Sequence, residues 1–481
     1  MSANQVPKPH IAFLPSPGVG HLIPLLEFAK HLVIHHKVYV SFLVINNDES
    51  PAMQHQLIHS SNLPTDLHVI ALPHTDVSSC VNDNMNILTR LTYICQESFK
   101  QLRATLVELS LPKALIIDIF ATDAFLICEE LEIPVYSFFT SPTMLLALSL
   151  YLPKLDEEVE CEYVDLPDSI KIPGCKPLEI DDLLGPLLNR KDEEYKCYLR
   201  HVNRLTMAAG IFVNTWVELE LKSCWLNGIQ NDLFYKNLPA PPVYLVGPLI
   251  KRDETVSESD EFILSWLDNQ APNSVLFVAF GSGGTLTSEQ LTELASGLEM
   301  SNQKFILVVR KPSDHLSACG MFFNVGRYRD DPISYLPEGF VERTAGVGLV
   351  VPSWAPQVPI LSHESTGGFL SHCGWNSTLE SIANGVPMIT WPLFAEQKMN
   401  ATLLAEEIAI AVKPIEVSRE EGGKEFVKRE EIETVVRLVM EGEEGKVMRR
   451  KANELKESAA KALKPGGCSY DLISSIVKSW K

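Results

Sequence analysis

Residues 354–397, WAPQVPILSHESTGGFLSHCGWNSTLESIANGVPMITWPLFAEQ, constrain the fold of this chain more than any other stretch. They hold three strand-to-helix turns in succession. The apolar run GLVVPSW leads to Pro356, a residue suited to the first turn of a helix. GGFLSH leads to a helix opened by Gly374-Trp375-Asn376-Ser377, and VPMITW to one opened near Ala395-Glu396-Gln397. Apolar strands alternating with helices imply a parallel sheet, and such folds bind ligands at the carboxyl ends of their strands. The middle turn has the parts of a phosphate cradle: small residues, a free helix N-terminus, and His372, Asn376 and Ser377 as donors. Trp354 and Trp375 offer flat faces, one of which could stack on a base. Glu380, Glu396 and Gln397 can accept hydrogen bonds from hydroxyl groups. A base, phosphates and several hydroxyls together describe a nucleotide sugar.

These 44 positions resemble, end to end and without a gap, the signature box of the plant UDP-dependent glycosyltransferases. The resemblance continues through PSPGVGHLIPLLEFAK near the N-terminus and SVLFVAFGSGGTLT in the middle, so it covers essentially the whole chain. It is nearest to the phenol and hydroquinone glucosyltransferase branch. It implies an α/β protein of the GT-B fold, two facing Rossmann-like βαβ domains with a cleft between them. Residues 1–250 are expected to bind the acceptor and 263–465 the UDP-sugar, with 251–262 as linker. The final helix, about 466–481, is expected to pack back on the first domain.

Composition sets independent bounds. A chain of 481 residues is too long for one ordinary domain. The net charge of −20 argues against nucleic acid or an anionic membrane surface as partner, so a dianionic substrate must be held by local dipoles and donors. The ten cysteines are scattered with no C-x-x-C pair, which indicates neither a disulfide framework nor a zinc site and suits a reducing compartment. The N-terminus lacks an apolar signal region, and the run MLLALSLYL at 144–152 is too short to span a bilayer. A cytosolic, monomeric protein is expected.

HIAFLPSPGVGHLIPLLEFAKHLV is a strand, a Gly-rich turn and an amphipathic helix, and VYVSFLVI is a second strand. Gly18-Val19-Gly20 lacks the third glycine of G-x-G-x-x-G, which argues against a dinucleotide oxidoreductase. In its place His21 stands at a helix start. It is either a cap of that turn or a general base. The next strand, ALIID, ends in Asp118, a carboxylate able to hold the second ring nitrogen of such a base. Asp123 competes for that role, and either aspartate has a simple explanation as a turn cap. The resemblance favours Asp118, which matches the family's orienting aspartate.

KRDETVSESDE at 251–261 reads as an exposed linker, and residues 312–337 as a long loop. Between them SVLFVAF is a buried strand ending in Gly281-Ser282-Gly283-Gly284, followed by a helix with Thr287-Ser288-Glu289-Gln290 as capping candidates. The segments EEGGKEFVKREEIETVVRLVMEGEEG and KVMRRKANELKESAAKAL read as charged amphipathic helices with solvated faces.

Within the box, Ser377-Thr378-Leu379-Glu380 fits an S-x-x-E capping box, an ordinary explanation for both ends of that motif. The resemblance implies other roles. Glu380 would hold the ribose hydroxyls. Ser282, His372, Gly374, Asn376 and Ser377 would surround the phosphates, and Trp375 opens the same helix. Trp354 would stack on uracil, with the Ala355 backbone on the base and Gln357 near the ribose. Glu396 and Gln397 would face the sugar. The family more often has aspartate at the position of Glu396, and glutamine at the position of Gln397 goes with glucose. No D-x-D pair suits a divalent metal, so no cofactor is expected and UDP-glucose is the donor substrate. His21 would take the proton of a small phenolic acceptor as its oxygen displaces UDP with inversion. The alternatives are a non-catalytic nucleotide-sugar binder, which fold alone does not separate from an enzyme, and a glycosyltransferase that uses another UDP-sugar or a non-phenolic acceptor.

Overall fold

Short runs of β-branched, leucine and aromatic residues form the strands of two parallel sheets in the computed structural model, which describes residues 8–47, 63–82, 85–251, 256–258, 260–313, 331–415, 417–419 and 425–481. Much of the loop expected at 312–337, and part of the expected linker, lie outside the described residues. The chain divides into two compact units, residues 1–250 with 461–481, and residues 251–460.

The first unit carries β1 (His10–Leu14), β2 (Tyr39–Val44), β3 (Leu67–Ala71), β4 (Ala114–Asp118), β5 (Val135–Phe139), β6 (Gly210–Val213) and β7 (Val243–Leu245). Their order in the sheet is β3-β2-β1-β4-β5-β6-β7. The direction of winding therefore reverses beside β1, where β4 pairs with it in parallel and Leu14 lies opposite Ile117. β4 and β5 are buried throughout, as a sheet covered on both faces requires. β3 was not expected from the sequence. LHVIA is an edge strand with partly exposed positions, so it lacks the continuous apolar run that marks the central strands.

Helix Val19–His36 follows β1 after Gly18, whose extended backbone serves as N-cap. It buries Leu22, Leu25, Phe28, Ala29 and Leu32, a helical spacing that seats one face on the sheet. The last helix, Cys468–Ser479, joins the same core through Ile473, Ile476, Val477 and Trp480. Trp480 Nε1 donates to the Tyr136 hydroxyl at 3.3 Å, and the two rings meet edge to face at 5.6 Å. Ser469 Oγ donates to the Gly247 carbonyl at 2.7 Å.

The second unit repeats the design with β8 (Val275–Ala279), β9 (Lys304–Val309), β10 (Gly348–Pro352), β11 (Thr366–Ser371), β12 (Met388–Thr390) and β13 (Ala411–Val412). The order is β10-β9-β8-β11-β12-β13, so the winding reverses beside β8. Helices Ser288–Ser301 and Arg429–Met440 cover one face of the core. Thr287 caps the former, its hydroxyl accepting from the Gln290 amide at 3.2 Å.

One local expectation fails. The segment before Arg429 is not helical: β15 (Glu425–Val427) pairs antiparallel with β14 (Val417–Arg419). The Gln290 side chain explains the boundary. It accepts from the Val427 amide at 2.9 Å and donates to the Val427 carbonyl at 2.8 Å, holding that residue extended. The apolar run at 144–152 lies in helix Thr143–Glu158, which passes through Pro153. Among the described residues no helix is long and apolar enough to cross a membrane.

Removing the Trp480 ring should cost the first unit about 3 kcal/mol, the usual range for truncating a buried large aromatic. In urea unfolding followed by circular dichroism, Trp480→Ala should shift the first unit's transition and leave the other in place. An unmoved first transition would show that the final helix contributes no packing.

Candidate active site

The reversal beside β1 puts the turn after β1 next to the end of β4. His21 occupies the third position of helix Val19–His36, and Asp118 is the last residue of β4. His21 Nδ1 lies 3.3 Å from Asp118 Oδ2, with Asp118 fully buried and the His21 side chain 18% exposed. Asp118 also accepts from the Ser16 amide at 2.8 Å, from the Ser16 hydroxyl, and from the Phe120 amide at 2.9 Å. Burial pushes its carboxyl up, but the hydrogen bond and charge of His21, with the bonds from Ser16, hold it below the usual carboxylate value. With Nδ1 turned to a carboxylate, the proton belongs on that nitrogen and Nε2 carries the lone pair. Phe120 stacks at a tilt on the imidazole, ring centres 4.9 Å apart, and Thr140 Oγ1 stands 3.5 Å from Nδ1.

Asp118 does cap the turn after β4, its Oδ1 accepting from the Phe120 amide at 2.9 Å, while its Oδ2 faces His21. His21 caps nothing, since Gly18 is the N-cap and no side chain completes it. Asp123 is engaged elsewhere, paired with Arg204 Nη1 at 2.6 Å.

A second histidine supports this corner from behind Phe120, and sequence reasoning missed it. His201 is fully buried, its ring 5.9 Å from that of Phe120. Thr92 Oγ1 donates to the Leu88 carbonyl at 2.8 Å and so receives the His201 Nε2 proton at 2.8 Å. His201 Nδ1 then accepts from Thr122 Oγ1 at 2.7 Å. Burial, with the charge of Arg200, lowers its pKa to about 3. The available signal was a histidine on the buried stripe of helix Glu193–Arg204, beside Tyr198 and Val202. Unfolded, His201 titrates near 6.5. The unfolded chain therefore binds the extra proton below that pH, and stability is lost as pH falls from about 6.5 toward about 3. The melting temperature should fall across that window, and less steeply in His201→Gln. Equal slopes would exclude His201 as a source.

In the second unit the residues that follow the carboxyl ends of β10, β9, β8, β11 and β12, adjacent in the sheet, come from the box and from two earlier segments. Trp354, Arg310, Ser282, His372 and the pair Glu396–Gln397 follow those strands. A hollow is lined by Phe280, Gly281, Arg310, Trp354, Ala355 and Gln357, among others. Trp354 is 43% exposed and Trp375 only 2%, so the free aromatic face belongs to Trp354 while Trp375 is core. Ala355 is buried.

Gln357 opens helix Gln357–Ser362 behind Pro356 as N-cap. Its Nε2 donates to Ser377 Oγ at 2.9 Å and to Glu380 Oε2 at 2.5 Å. The expected capping box is therefore absent. The N-cap of helix Trp375–Asn384 is Gly374, which places Ser377 three residues into the helix and Glu380 in its second turn. Both side chains turn to Gln357, so these three residues form one polar group.

His372 sits between two glycines. A Cβ on Gly281 (φ +69°) would lie 2.5 Å from its ring, and one on Gly374 2.5 Å from Nε2. Its Nδ1 is buried without a hydrogen-bond partner among the described residues. Burial first, then the charge of Arg310, lowers its pKa to about 4, so the ring is neutral near pH 7. Cys373 adopts φ +63°, and Asn400 Nδ2, another residue missed from the sequence, donates to its carbonyl at 2.9 Å and to Glu396 Oε1 at 3.3 Å. Burial pushes the Cys373 thiol up to about 12, which removes it as a nucleophile.

Glu396 is the N-cap of helix Gln397–Thr402. Gln397 is buried, and its Oε1 accepts from the amides of Leu393 at 2.8 Å and Phe394 at 3.0 Å, leaving Nε2 as its donor. Among the described residues no three His, Cys, Asp or Glu side chains gather as metal ligands.

The family model for UDP-glucoronosyl and UDP-glucosyl transferase matches residues 251–421, which contain this whole pocket. UDP-glycosyltransferase 72B1 of Arabidopsis thaliana is 44% identical over 479 residues, covering 98% of this chain and 96% of that protein. The chain belongs to the UDP-glycosyltransferase family. This UDP-glycosyltransferase is also 43% identical to the hydroquinone glucosyltransferase of Rauvolfia serpentina over 476 residues, 98% of each chain. The solved structure of Phytolacca americana UGT2, complexed with UDP-2fluoro-glucose and pterostilbene, superposes with a TM-score of 0.86 at 42% identity, covering 98% of this chain and 99% of that one. The protein is an enzyme of the GT-B fold.

Gly374→Ala tests the histidine wedge, because φ −60° suits alanine and only the added methyl offends. Displacing His372 should weaken UDP binding roughly tenfold, about 1.4 kcal/mol by calorimetry. Wild-type affinity would show that the pocket tolerates the ring elsewhere.

Proposed function

We propose that this UDP-glycosyltransferase transfers glucose from UDP-glucose to the hydroxyl of a small phenol with inversion, giving a β-O-glucoside. The observation that carries the reading is His21 Nδ1 held 3.3 Å from buried Asp118 with the ring edge still open to solvent. His21 Nε2 removes the acceptor proton as the oxygen attacks the anomeric carbon from the face opposite UDP. The new C–O bond forms as the bond to the diphosphate breaks, and direct displacement inverts an α-linked donor to a β-linked product. A phenol, with its proton near pKa 10, is within reach of an imidazole base. The names of two similar proteins support this class of acceptor: one is a hydroquinone glucosyltransferase, and the other was solved with pterostilbene.

In the donor pocket Trp354 stacks on uracil and the Gln357–Glu380 pair exchanges its mutual hydrogen bond for ribose hydroxyls. The phosphates meet the N-terminus of helix Trp375–Asn384, Ser282 and neutral His372. Glu396 and the Nε2 of Gln397 face the sugar. The pocket needs no metal to receive the leaving charge. The protein acts as a cytosolic monomer.

His21→Ala and Asp118→Asn should each lose about 10²–10⁴ in kcat, the range for general-base catalysis, while UDP affinity by calorimetry stays at the wild-type value. Near-native turnover in Asp118→Asn would break the pairing argument. Glu380→Ala should instead raise the KM for UDP-glucose by about tenfold, consistent with one lost charged hydrogen bond. Turnover should be indifferent to EDTA. UDP-glucose binding with no transfer to any phenol would favour a sensor over an enzyme.

A further inference from the structure

Arg310 is the first residue after β9 and belongs to no motif singled out in the sequence. Its Nη1 donates to the carbonyls of Gly281 at 3.0 Å, Ser282 at 2.6 Å and Gly284 at 3.1 Å, three oxygens of the turn that follows β8. The same turn is stapled to the same segment twice more. Thr285 Oγ1 donates to the Lys311 carbonyl at 2.6 Å, and the Ser313 amide to the Leu286 carbonyl at 2.9 Å.

The consequence follows from the planar trans peptide, in which C=O and the following N–H point in opposite directions. The cis bond recorded among the described residues is Gly247-Pro248, so the peptides of this turn are trans. Carbonyls of residues 281, 282 and 284 drawn to Arg310 turn the amides of Ser282, Gly283 and Thr285 away from it. Successive amides on one side of a turn make an anion-binding concavity, and carbonyls left on that side would repel a phosphate. Gly281 Cα also lies against the His372 ring, so the turn connects Arg310 to the other phosphate-side donor.

We propose that Arg310 is a positioning residue for the leaving group: by gathering three carbonyls of the 281–284 turn, it aims that turn's amides at the departing diphosphate. The proposal rests on the donor-site reading above. Its role is distinct from a salt bridge to phosphate, because it acts through the backbone it orients.

The test is calorimetric binding of UDP and of uridine, which lacks the phosphates, to wild type, Arg310→Gln and Arg310→Lys, with kcat and KM for UDP-glucose alongside. Arg310→Gln should bind UDP roughly 10- to 100-fold more weakly, keep its uridine affinity, and lose more in kcat than it gains in KM. Arg310→Lys, with three donors on one ammonium, should show the same selective loss more mildly and serves if the Gln variant does not fold. UDP affinity equal to wild type in both variants overturns the proposal. So does an equal loss for UDP and uridine, which marks a merely structural arginine. Wild-type protein that binds uridine but gains nothing from the diphosphate would overturn the donor-site reading, and this proposal with it.

Discussion

Parallel pairing of β1 with β4, and of β8 with β11, is the constraint on which both halves of the chemistry depend. A parallel sheet brings every strand's carboxyl end to one edge, and where the winding reverses the flanking helices diverge and leave a crevice. His21 and Asp118 stand at that reversal in the first unit, and Ser282 and His372 at the corresponding reversal in the second. Register does the fine positioning. Leu14 lies opposite Ile117, which brings Ser16 and then His21 to Asp118. Slipping β4 by one residue would move it about 3.3 Å and turn the Asp118 side chain to the other face of the sheet.

In the proposed donor site local dipoles, not net charge, do the electrostatic work. The chain carries −20, yet its family handles a dianionic nucleotide. In that proposed site the task falls to a helix start, a turn whose carbonyls accept from Arg310, and a histidine kept neutral by burial and by that arginine's charge. In the first unit the logic is inverted. Asp118 is fully buried and still held in its ionised form by His21 and Ser16, a committed negative charge beside a histidine whose outer edge is open. Behind it, His201 remains neutral because burial, with the charge of Arg200, disfavours its protonated form, while threonine hydroxyls satisfy both its nitrogens.

Much of this was legible in the residues because central parallel strands are continuous apolar runs and turns are rich in Gly and Ser. β3 was not, being an edge strand whose partly exposed positions dilute the pattern. The choice between Asp118 and Asp123 could not be made from spacing, since one ends β4 and the other lies in the turn just after it; Arg204, some eighty residues away from Asp123, decides it by pairing with that residue. Likewise S-x-x-E at 377–380 fits a capping box in the sequence, but the helix begins one turn earlier at Gly374 and Gln357 takes both side chains. Trp354 and Trp375 look equivalent until burial separates them. Arg310, His201 and Asn400 escaped notice for a common reason: each acts through a backbone or a ring distant in the chain, and such roles leave no local motif.

The anomeric configuration of the product made from UDP-glucose and hydroquinone tests the central claim most directly. It is read from the proton coupling at the anomeric carbon of the purified glucoside. A β-glucoside is what displacement by an oxygen activated at His21 must give. An α-glucoside would contradict the single-displacement account and the role of the His21–Asp118 pair within it.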